Sequence, residues 1–319
     1  RSKIDVSSIW TEKYRPKKFE EIHGQKEIIN RVKAFVDKGN LPNQLYAGPA
    51  GVGKTTLILV AARELYGDYW RHNTLELNAS DDRGINVVRE QIKDFAKTMP
   101  FGGAKFKLVI LDEADSLTKE AQQALRRTME NYVDNCRFCL LANYSSKLMD
   151  PIQSRCTVFR FKPLSHGELK EIIMRIAETE SLEIGEKAID ALYAISNGDV
   201  RRMTNMLQSC STVNPKITED LIYEIVSAAQ PQEVRAVLEI AVEGKFIQAR
   251  KQLLDVMLKH GLSGIDVIKQ IQKEVWALPV DDRMKVRLID RCGEIEFRMV
   301  EGADEFVQLE ALLASFVKQ

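Results

Sequence analysis

The feature that most constrains this chain is a phosphate-loop pattern, G-x-x-x-x-G-K-[ST], which residues 48–55 match at every fixed position. In such a loop the backbone N–H groups surround phosphate oxygens, the lysine reaches the β- and γ-phosphates, and the Ser or Thr hydroxyl ligates Mg²⁺. Residues 45–47 indicate a buried strand before the loop, and residues 56–62 indicate a helix after it, with its N-terminus facing the anion. A Gly-rich turn without a ligand explains these flanks poorly. The sequence therefore predicts a nucleoside triphosphate site formed by Gly48, Pro49, Ala50, Gly51, Val52, Gly53, Lys54, Thr55 and Thr56.

Two further strands are expected to deliver polar side chains to this site. An apolar stretch, residues 106–111, ends in Asp112 and Glu113. Beside a phosphate loop, Asp112 can share a Mg²⁺ with Thr55 while Glu113 activates a water molecule. An acidic pair in this position is also common at a helix N-terminus, where the helix dipole favours it. Asn143, at the end of the next strand, can orient that water, although Asn is also a frequent strand-exit residue.

Alternation of strands and helices up to residue 162 predicts a parallel sheet covered on both faces by helices, an α/β fold. From Pro163 onwards the apolar spacing is helical only, and Gln230-Pro231 indicates a second joint. We therefore expect a phosphate-loop ATPase domain over 1–162, a small helical lid over 163–229, and an all-α domain over 230–319.

An aromatic and proline-containing segment, residues 10–16, precedes the sheet. Its residues Tyr14, Arg15 and Pro16 can cover the base and ribose of a nucleotide, or the segment can be a strap that packs on the core. Cys136 and Cys139 have C-x-x-C spacing, but they lie in a predicted buried strand, which favours reduced core thiols.

Bulk properties restrict the partners of the chain. Lys and Arg number 46, as do Asp and Glu, so any nucleic acid must bind through a local basic surface. No apolar run approaches the length of a membrane span, and residues 1–5 lack the apolar core of a signal peptide. We expect an intracellular protein without membrane partners.

Taken together and in this order, the motifs resemble the small subunit of replication factor C, the AAA+ ATPase that loads sliding clamps onto DNA. The resemblance covers the whole chain and is nearest to the archaeal form. Its most specific parts lie at residues 10–16, 77–85, 112–115, 153–156 and 198–202. Ala50 departs from the family, which usually has a second proline there. Because this position supplies loop backbone, we expect little effect.

The resemblance implies a role for each candidate residue. ATP and Mg²⁺ are the expected ligands, with Glu113 as catalytic base and Asn143 as the sensor that positions water. Arg155, within Ser-Arg-Cys, is similar to the arginine finger that reaches the γ-phosphate of a neighbouring subunit. Arg201, within Gly-Asp-x-Arg, is similar to the second sensor, which contacts the γ-phosphate of its own chain. Both arginines can alternatively form ordinary surface salt bridges.

The family also implies partners. They are other clamp-loader subunits, small and large, arranged as a five-membered spiral in which residues 230–319 form a collar, together with the sliding clamp and primer–template DNA. The resemblance further implies that this protein is cytoplasmic and nucleoid-associated, or nuclear in a eukaryote. Candidate DNA contacts are Arg83, Arg89, Lys93 and Lys147, and the last three can equally be solvated charges. Candidate clamp contacts are Met99, Pro100 and Phe101, which can also be loop anchors.

Other functions remain as alternatives. Another AAA+ DNA motor, such as a helicase, would need a clear pore-loop aromatic or substrate domain. A subunit that binds ATP without hydrolysing it would not need Glu113 and Thr55. A GTPase is disfavoured because the sequence contains no Asn-Lys-x-Asp motif for guanine recognition.

Overall fold

The structure, a computed structural model, describes residues 9–80 and 85–317. It divides between Ile217 and Thr218 into two compact units, which are described separately below. The three-domain division at residues 162/163 and 229/230 remains a prediction.

The first unit contains one five-stranded parallel sheet. Its strands are β1 (Gln44–Ala47), β2 (Thr74–Asn78), β3 (Lys107–Asp112), β4 (Cys136–Ala142) and β5 (Thr157–Arg160). The spatial order is β2-β3-β4-β1-β5, so β1 lies between β4 and β5. Tyr46 of β1, for example, pairs with Leu141 on one side and Phe159 on the other. The predicted parallel sheet is confirmed.

Helices precede and connect these strands, and helices cover both faces of the sheet. They are α1 (Trp10–Lys13), α2 (Lys26–Asp37), α3 (Lys54–Tyr66), α4 (Trp70–Asn73), α5 (Ile85–Lys97), α6 (Lys119–Asn131) and α7 (Asp150–Gln153). Alternate residues of β3 enter two different cores: Leu108 and Ile110 belong to one, and Val109 and Leu111 to the other. This double burial explains why the strand is an uninterrupted apolar run.

Buried cysteines contribute to the same layers. Cys136 and Cys139 lie in β4 with free, buried thiols, and burial raises the pKa of Cys136 to about 11. Such thiols are protonated at neutral pH and act as small apolar side chains.

After β5, the first unit continues with α8 (His166–Thr179), α9 (Glu186–Ser196) and α10 (Val200–Val213). Ser165 and Glu168 form a capping box at the start of α8. The prediction that only helices follow Pro163 is wrong in one detail, because β6 (Glu183–Ile184) and β7 (Lys216–Ile217) pair in parallel. Two-residue strands are too short to show an alternating pattern in the sequence.

The second unit is helical. It contains α11 (Glu219–Val226), α12 (Pro231–Val242), α13 (Phe246–His260), α14 (Gly264–Val275), α15 (Asp282–Val300) and α16 (Glu305–Val317). Helices α12 to α16 enclose one apolar core that includes Leu238, Leu253, Ile271, Leu288 and Phe316. None of the helices in residues 9–80 and 85–317 has both the length and the apolar character needed to cross a membrane.

Candidate active site

The strand order brings the carboxyl ends of β1, β3 and β4 side by side. In open parallel sheets this edge is where ligands bind. A cleft of about 250 Å³ lies here. It is bounded by the sheet edge, by residues 10–16 (the N-terminal segment) and by helices α8 and α10. Most of the candidate site residues line it: Tyr14, Arg15, Pro16, Ala50, Gly51, Val52, Gly53, Lys54, Thr55, Thr56, Asp112, Glu113, Asn143 and Arg201.

The loop after β1 wraps around the ammonium group of Lys54. Its Nζ donates to the carbonyl oxygens of Gly48 and Pro49, both at 2.6 Å, and the residue is only 9% exposed. Burial lowers the pKa of Lys54, while the carboxylates of Asp112 and Asp115 act in the opposite direction. Gly48 and Pro49 do not line the cleft themselves. Their carbonyl groups hold the side chain of Lys54, which does. Lys54 is also the first residue of α3, so the helix N-terminus opens into the cleft.

At the end of β3 the chain turns sharply through Glu113. This residue has a left-handed backbone with φ of 54°, which is costly for a side chain other than Gly and is typical of functional sites. Its N–H donates to Oδ1 of Asp112 at 2.8 Å, and its carbonyl accepts from the Ser116 hydroxyl at 2.7 Å. The turn thus places the two carboxylates of Asp112 and Glu113 in the cleft.

Asn143 is fixed from two directions at the end of β4. Its side-chain Oδ1 lies 3.3 Å from Nζ of Lys54, and its backbone N–H donates to Oδ2 of Asp115 at 3.2 Å. The same Oδ2 accepts from the N–H of Tyr144 at 3.1 Å. Polar groups from the segments that follow β1, β3 and β4 are therefore linked by hydrogen bonds at one point.

Helix α10 contacts the phosphate loop directly. The N–H of Val200 donates to the carbonyl of Gly51 at 2.9 Å, and Asp199 caps the helix by accepting from the N–H of Arg202. A Cβ atom on Gly51 would lie 1.8 Å from Oδ1 of Asp199, so only glycine permits this approach. Arg201 follows on the same turn, and its charge contributes to lowering the pKa of Lys54.

The N-terminal segment both lines the cleft and packs on the helices around it. Trp10 is buried, and its N–H donates to Oε1 of Gln208 on α10 at 3.1 Å. Lys13 and Tyr14 both donate to the carboxylate of Glu180, at the end of α8. These hydrogen bonds lower the pKa of Glu180, with that from Lys13 the larger cause. The segment thus lines the cleft, as a nucleotide cover would, and also packs on neighbouring helices, as a strap would.

Three protein-family models match consecutive parts of the chain between residues 44 and 315. Residues 44–164 match the ATPase family associated with various cellular activities (AAA), residues 166–224 the RFC1-like AAA+ ATPase lid domain, and residues 229–315 the replication factor C C-terminal domain. The replication factor C small subunit of Methanocella arvoryzae is 50% identical over 311 residues, which cover 98% of this chain and 97% of that protein. The same-named protein of Archaeoglobus fulgidus is 47% identical over 306 residues, covering 96% of each chain. The chain belongs to the replication factor C small-subunit family.

Solved structures support the fold independently. The Thermotoga maritima RuvB Holliday junction branch migration motor superposes with a TM-score of 0.54, covering 72% of this chain and 80% of that one. At 23% identity this similarity concerns the AAA+ fold alone.

Arg155 lies outside the cleft of its own chain. Its Nη2 is 2.5 Å from Oε1 of Glu130, and its Nη1 donates to the carbonyl of Pro151 at 2.8 Å. Arg155 and Glu130 are both exposed, and ion pairs at the surface contribute little stability. In this replication factor C family member, the guanidinium of Arg155 is therefore accessible to a group from another chain.

The candidate DNA contacts that the structure describes lie on the surface. Arg89 and Lys93 are four residues apart on α5, and Lys93 lies 3.7 Å from Glu90. Lys147 is exposed, with its Nζ 5.1 Å from the ring centre of Tyr144. Arg83 lies outside the residues that the structure describes.

The loop with the candidate clamp contacts is well anchored. Met99 is 83% exposed and Phe101 is 49% exposed. The side chain of Asn73, which is fully buried, accepts from the N–H of Phe101 at 2.8 Å and donates to its carbonyl at 3.1 Å. Pro100 lies between the two exposed side chains.

Several cleft residues were not predicted from the sequence. Ile172 and Ile176 of α8 line the cleft, but their spacing is the same as that of residues facing a core. His23 also lines it, and its Nδ1 lies 3.1 Å from Oε2 of Glu171. Asp115, within the acidic motif at 112–115, does not line the cleft but contacts the loop after β4.

The residues present fit ATP and Mg²⁺. Thr55 and Asp112 both line the cleft and provide a hydroxyl and a carboxylate, the oxygen ligands that Mg²⁺ prefers. The Gly-rich loop with the buried ammonium of Lys54 provides the counterpart for phosphate.

Proposed function

We propose that this chain is an ATP-driven clamp-loader subunit. In a hetero-pentamer with a large subunit it would open the sliding clamp and load it on primer–template DNA during replication. The observation that carries the proposal is the cleft itself, which groups Lys54, Thr55, Asp112, Glu113 and Arg201 within a chain of this family.

Each side chain then has a chemical role. The loop N–H groups and Lys54 bind the phosphates of ATP, and Thr55 and Asp112 hold the Mg²⁺, which neutralises phosphate charge. Glu113 accepts a proton from the attacking water, and Asn143 orients that water. Arg201 contacts the γ-phosphate from α10, so the position of this helix depends on the nucleotide.

Arg155 would complete the site of a neighbouring subunit. It is exposed, it does not line its own cleft, and its ion pair with Glu130 is of a kind worth about 0–1 kcal/mol. Arg155 can therefore leave Glu130 and bind a neighbouring subunit's triphosphate at little cost in free energy. An arginine supplied in trans can raise the rate of hydrolysis by about 10³–10⁵. Hydrolysis would thus depend on assembly.

DNA and the clamp would contact different surfaces. The basic side chains Arg83, Arg89, Lys93 and Lys147 are the proposed contacts to DNA phosphates, which carry no sequence information. Met99, Pro100 and Phe101 form the proposed clamp contact, because an anchored loop presents two large apolar side chains to solvent.

The test is the ATPase rate of the assembled complex, measured with and without primed DNA and sliding clamp. We expect stimulation by both ligands, and loss of turnover but not of ATP binding in Glu113→Gln. Glu178→Gln, an exposed carboxylate on α8, is the matched control. Full turnover in Glu113→Gln would support a non-hydrolysing scaffold instead. Strand separation without any requirement for a clamp would support a helicase-type motor.

A further inference from the structure

The acidic motif contains a carboxylate that the proposed mechanism does not use. Asp115 lies on the 3₁₀ turn Ala114–Ser116 that follows Glu113. Its Oδ2 accepts two consecutive backbone N–H groups, from Asn143 at 3.2 Å and from Tyr144 at 3.1 Å. Hydrogen bonds from neutral donors to a carboxylate are stronger than those between neutral groups. Two of them on one oxygen fix both the position and the orientation of the Asn143 peptide.

The loop that begins at Asn143 is held by other side chains as well. Gln122 of α6 donates to the carbonyl of Lys147 at 3.0 Å, and Gln153 of α7 donates to the carbonyl of Ser145 at 2.9 Å. These two contacts hold the far part of the loop. Only Asp115, among these three, comes from the turn that also carries Glu113.

Glu113 and Asn143 lie at the ends of different strands, β3 and β4, yet a base and an orienting amide must meet the same water molecule. Misplacement of a reacting group by about 1 Å can cost about a hundredfold in rate. The Asp115 contact is a direct connection between the two strand ends beyond the end of the sheet pairing, where Leu111 pairs with Leu140.

We propose that Asp115 is a positioning residue, which sets Asn143 relative to Glu113 by binding the N–H groups of Asn143 and Tyr144. The inference rests on the proposed function only in assigning Glu113 and Asn143 to the attacking water. The contact itself is independent of that function, and so is the first part of its test.

The first experiment measures amide hydrogen exchange of Asn143 and Tyr144 in the full chain by NMR. We expect Asp115→Ala to accelerate exchange at both amides by about tenfold or more, the effect of losing a charge-assisted hydrogen bond. Asp115→Asn, which retains an acceptor oxygen, should restore much of the protection. Asp134→Asn, an exposed carboxylate before the other end of β4, is the matched control and should change neither amide. Unchanged exchange at both amides in Asp115→Ala would overturn the proposal.

The second experiment measures steady-state ATPase kinetics in the assembled complex, with nucleotide affinity measured separately. Asp115→Ala should lower kcat about ten- to a hundredfold while the Kd for ATP changes less than about twofold. In an Asn143→Ala background the same substitution should have little further effect on kcat. Multiplicative losses in the double variant, or a parallel loss of ATP affinity, would show that Asp115 does not act through Asn143. If Glu113→Gln retains turnover, the proposed function fails, whereas the exchange measurement still decides the role of Asp115.

Discussion

At the scale of single residues, the site depends on positions that the phosphate-loop pattern leaves unspecified. Gly51 occupies one of the variable positions of the pattern, yet it has φ of +67° and lies against Asp199. Its carbonyl also accepts the N–H of Val200. One glycine thus allows both the curvature of the loop and its contact with α10.

A pair of glycine substitutions separates these two requirements. Gly39 has nearly the same backbone, φ +63°, but nothing lies within 4 Å of the position where its Cβ would be. Gly39→Ala should cost about 1–2 kcal/mol of unfolding free energy, the cost of a left-handed backbone with a Cβ. Gly51→Ala should cost about 1–3 kcal/mol more, because Asp199 and α10 must move.

Urea unfolding of both variants without nucleotide measures the difference. If Gly39→Ala and Gly51→Ala lose equal amounts of unfolding free energy, the loop and α10 can move apart without lowering stability. The unfolding free energy would then contain no contribution from the close approach to Asp199.

Local pattern and tertiary contact differ in what a sequence can reveal. That Lys54, Thr55, Asp112 and Glu113 would line one cleft was predictable, because the chemistry of phosphate and Mg²⁺ requires fixed residue types at fixed spacing beside a strand. The contacts of Asp115 and Gly51 were not predictable, since each is made with a partner in a different segment, Asn143 and Asp199 respectively. No local spacing contains that information.

At the scale of secondary structure elements, anchored loops decide which side chains the first unit presents. The loop after α5 has no regular structure of its own, but Asn73 at the end of α4 pairs with both polar backbone groups of Phe101. The ring of Phe101 also packs 5.1 Å from that of His72. A buried side chain therefore determines the direction of an exposed one.

Removing this anchor should release the loop. Asn73→Ala leaves the N–H and carbonyl of Phe101 without these partners, which costs about 1–3 kcal/mol and raises local opening roughly five- to 150-fold. Limited chymotrypsin digestion would measure the change as faster cleavage after Phe101. Asn205→Ala, an exposed asparagine on α10, is the control. Cleavage at the wild-type rate in Asn73→Ala would mean that other contacts hold the loop.

The N-terminal segment is attached through a titratable contact. Lys13 and Tyr14 lower the pKa of Glu180, so the folded protein binds a proton there less readily than the unfolded chain. Stability from this contact is fully present above the ordinary glutamate pKa of about 4.3 and is lost as pH falls through the lowered folded value.

Glu180→Gln should therefore lower the unfolding temperature at neutral pH by a few degrees at most, because Lys13 and Glu180 are both partly exposed and the ion pair is screened by water. The difference from wild type should stay constant down to about pH 5 and shrink below about pH 4.3. Thermal unfolding between pH 3 and pH 7 measures this, with Glu178→Gln as the matched control. A difference that grows towards acid pH would contradict the assignment.

At the scale of the whole molecule, the order of elements was more predictable than their details. The alternation of apolar strands and amphipathic helices predicted the parallel sheet and the change to helices, because burial on both faces leaves a continuous apolar run. The pair β6 and β7 was missed because each strand has only two residues. The strand order β2-β3-β4-β1-β5 was also outside the reach of pattern reading, since pairing is a property of the folded chain.

Helix α15 of the second unit has apolar side chains on two faces. Helix α15 buries one stripe, which includes Leu288 and Ile295, in the core of that unit. Val286, Phe297 and Val300 lie on another face, each more than 60% exposed. Their spacing of 11 and 3 residues places them on one side of the helix. Exposed apolar stripes of this kind indicate contact with another protein.

In the proposed hetero-pentamer, the corresponding unit of a neighbouring subunit would pack on this stripe. Phe297→Asp should therefore reduce assembly at least about tenfold in affinity, because a charge in an apolar interface core loses its hydration. ATP affinity of the isolated chain should not change, since every residue lining the cleft belongs to the first unit. Native mass spectrometry of the reconstituted complex and nucleotide titration measure the two quantities. Val213→Asp, an equally exposed valine at the end of α10, controls for the added charge and should leave the complex intact. A complex of unchanged mass and affinity with Phe297→Asp would assign assembly to surfaces other than this face of α15.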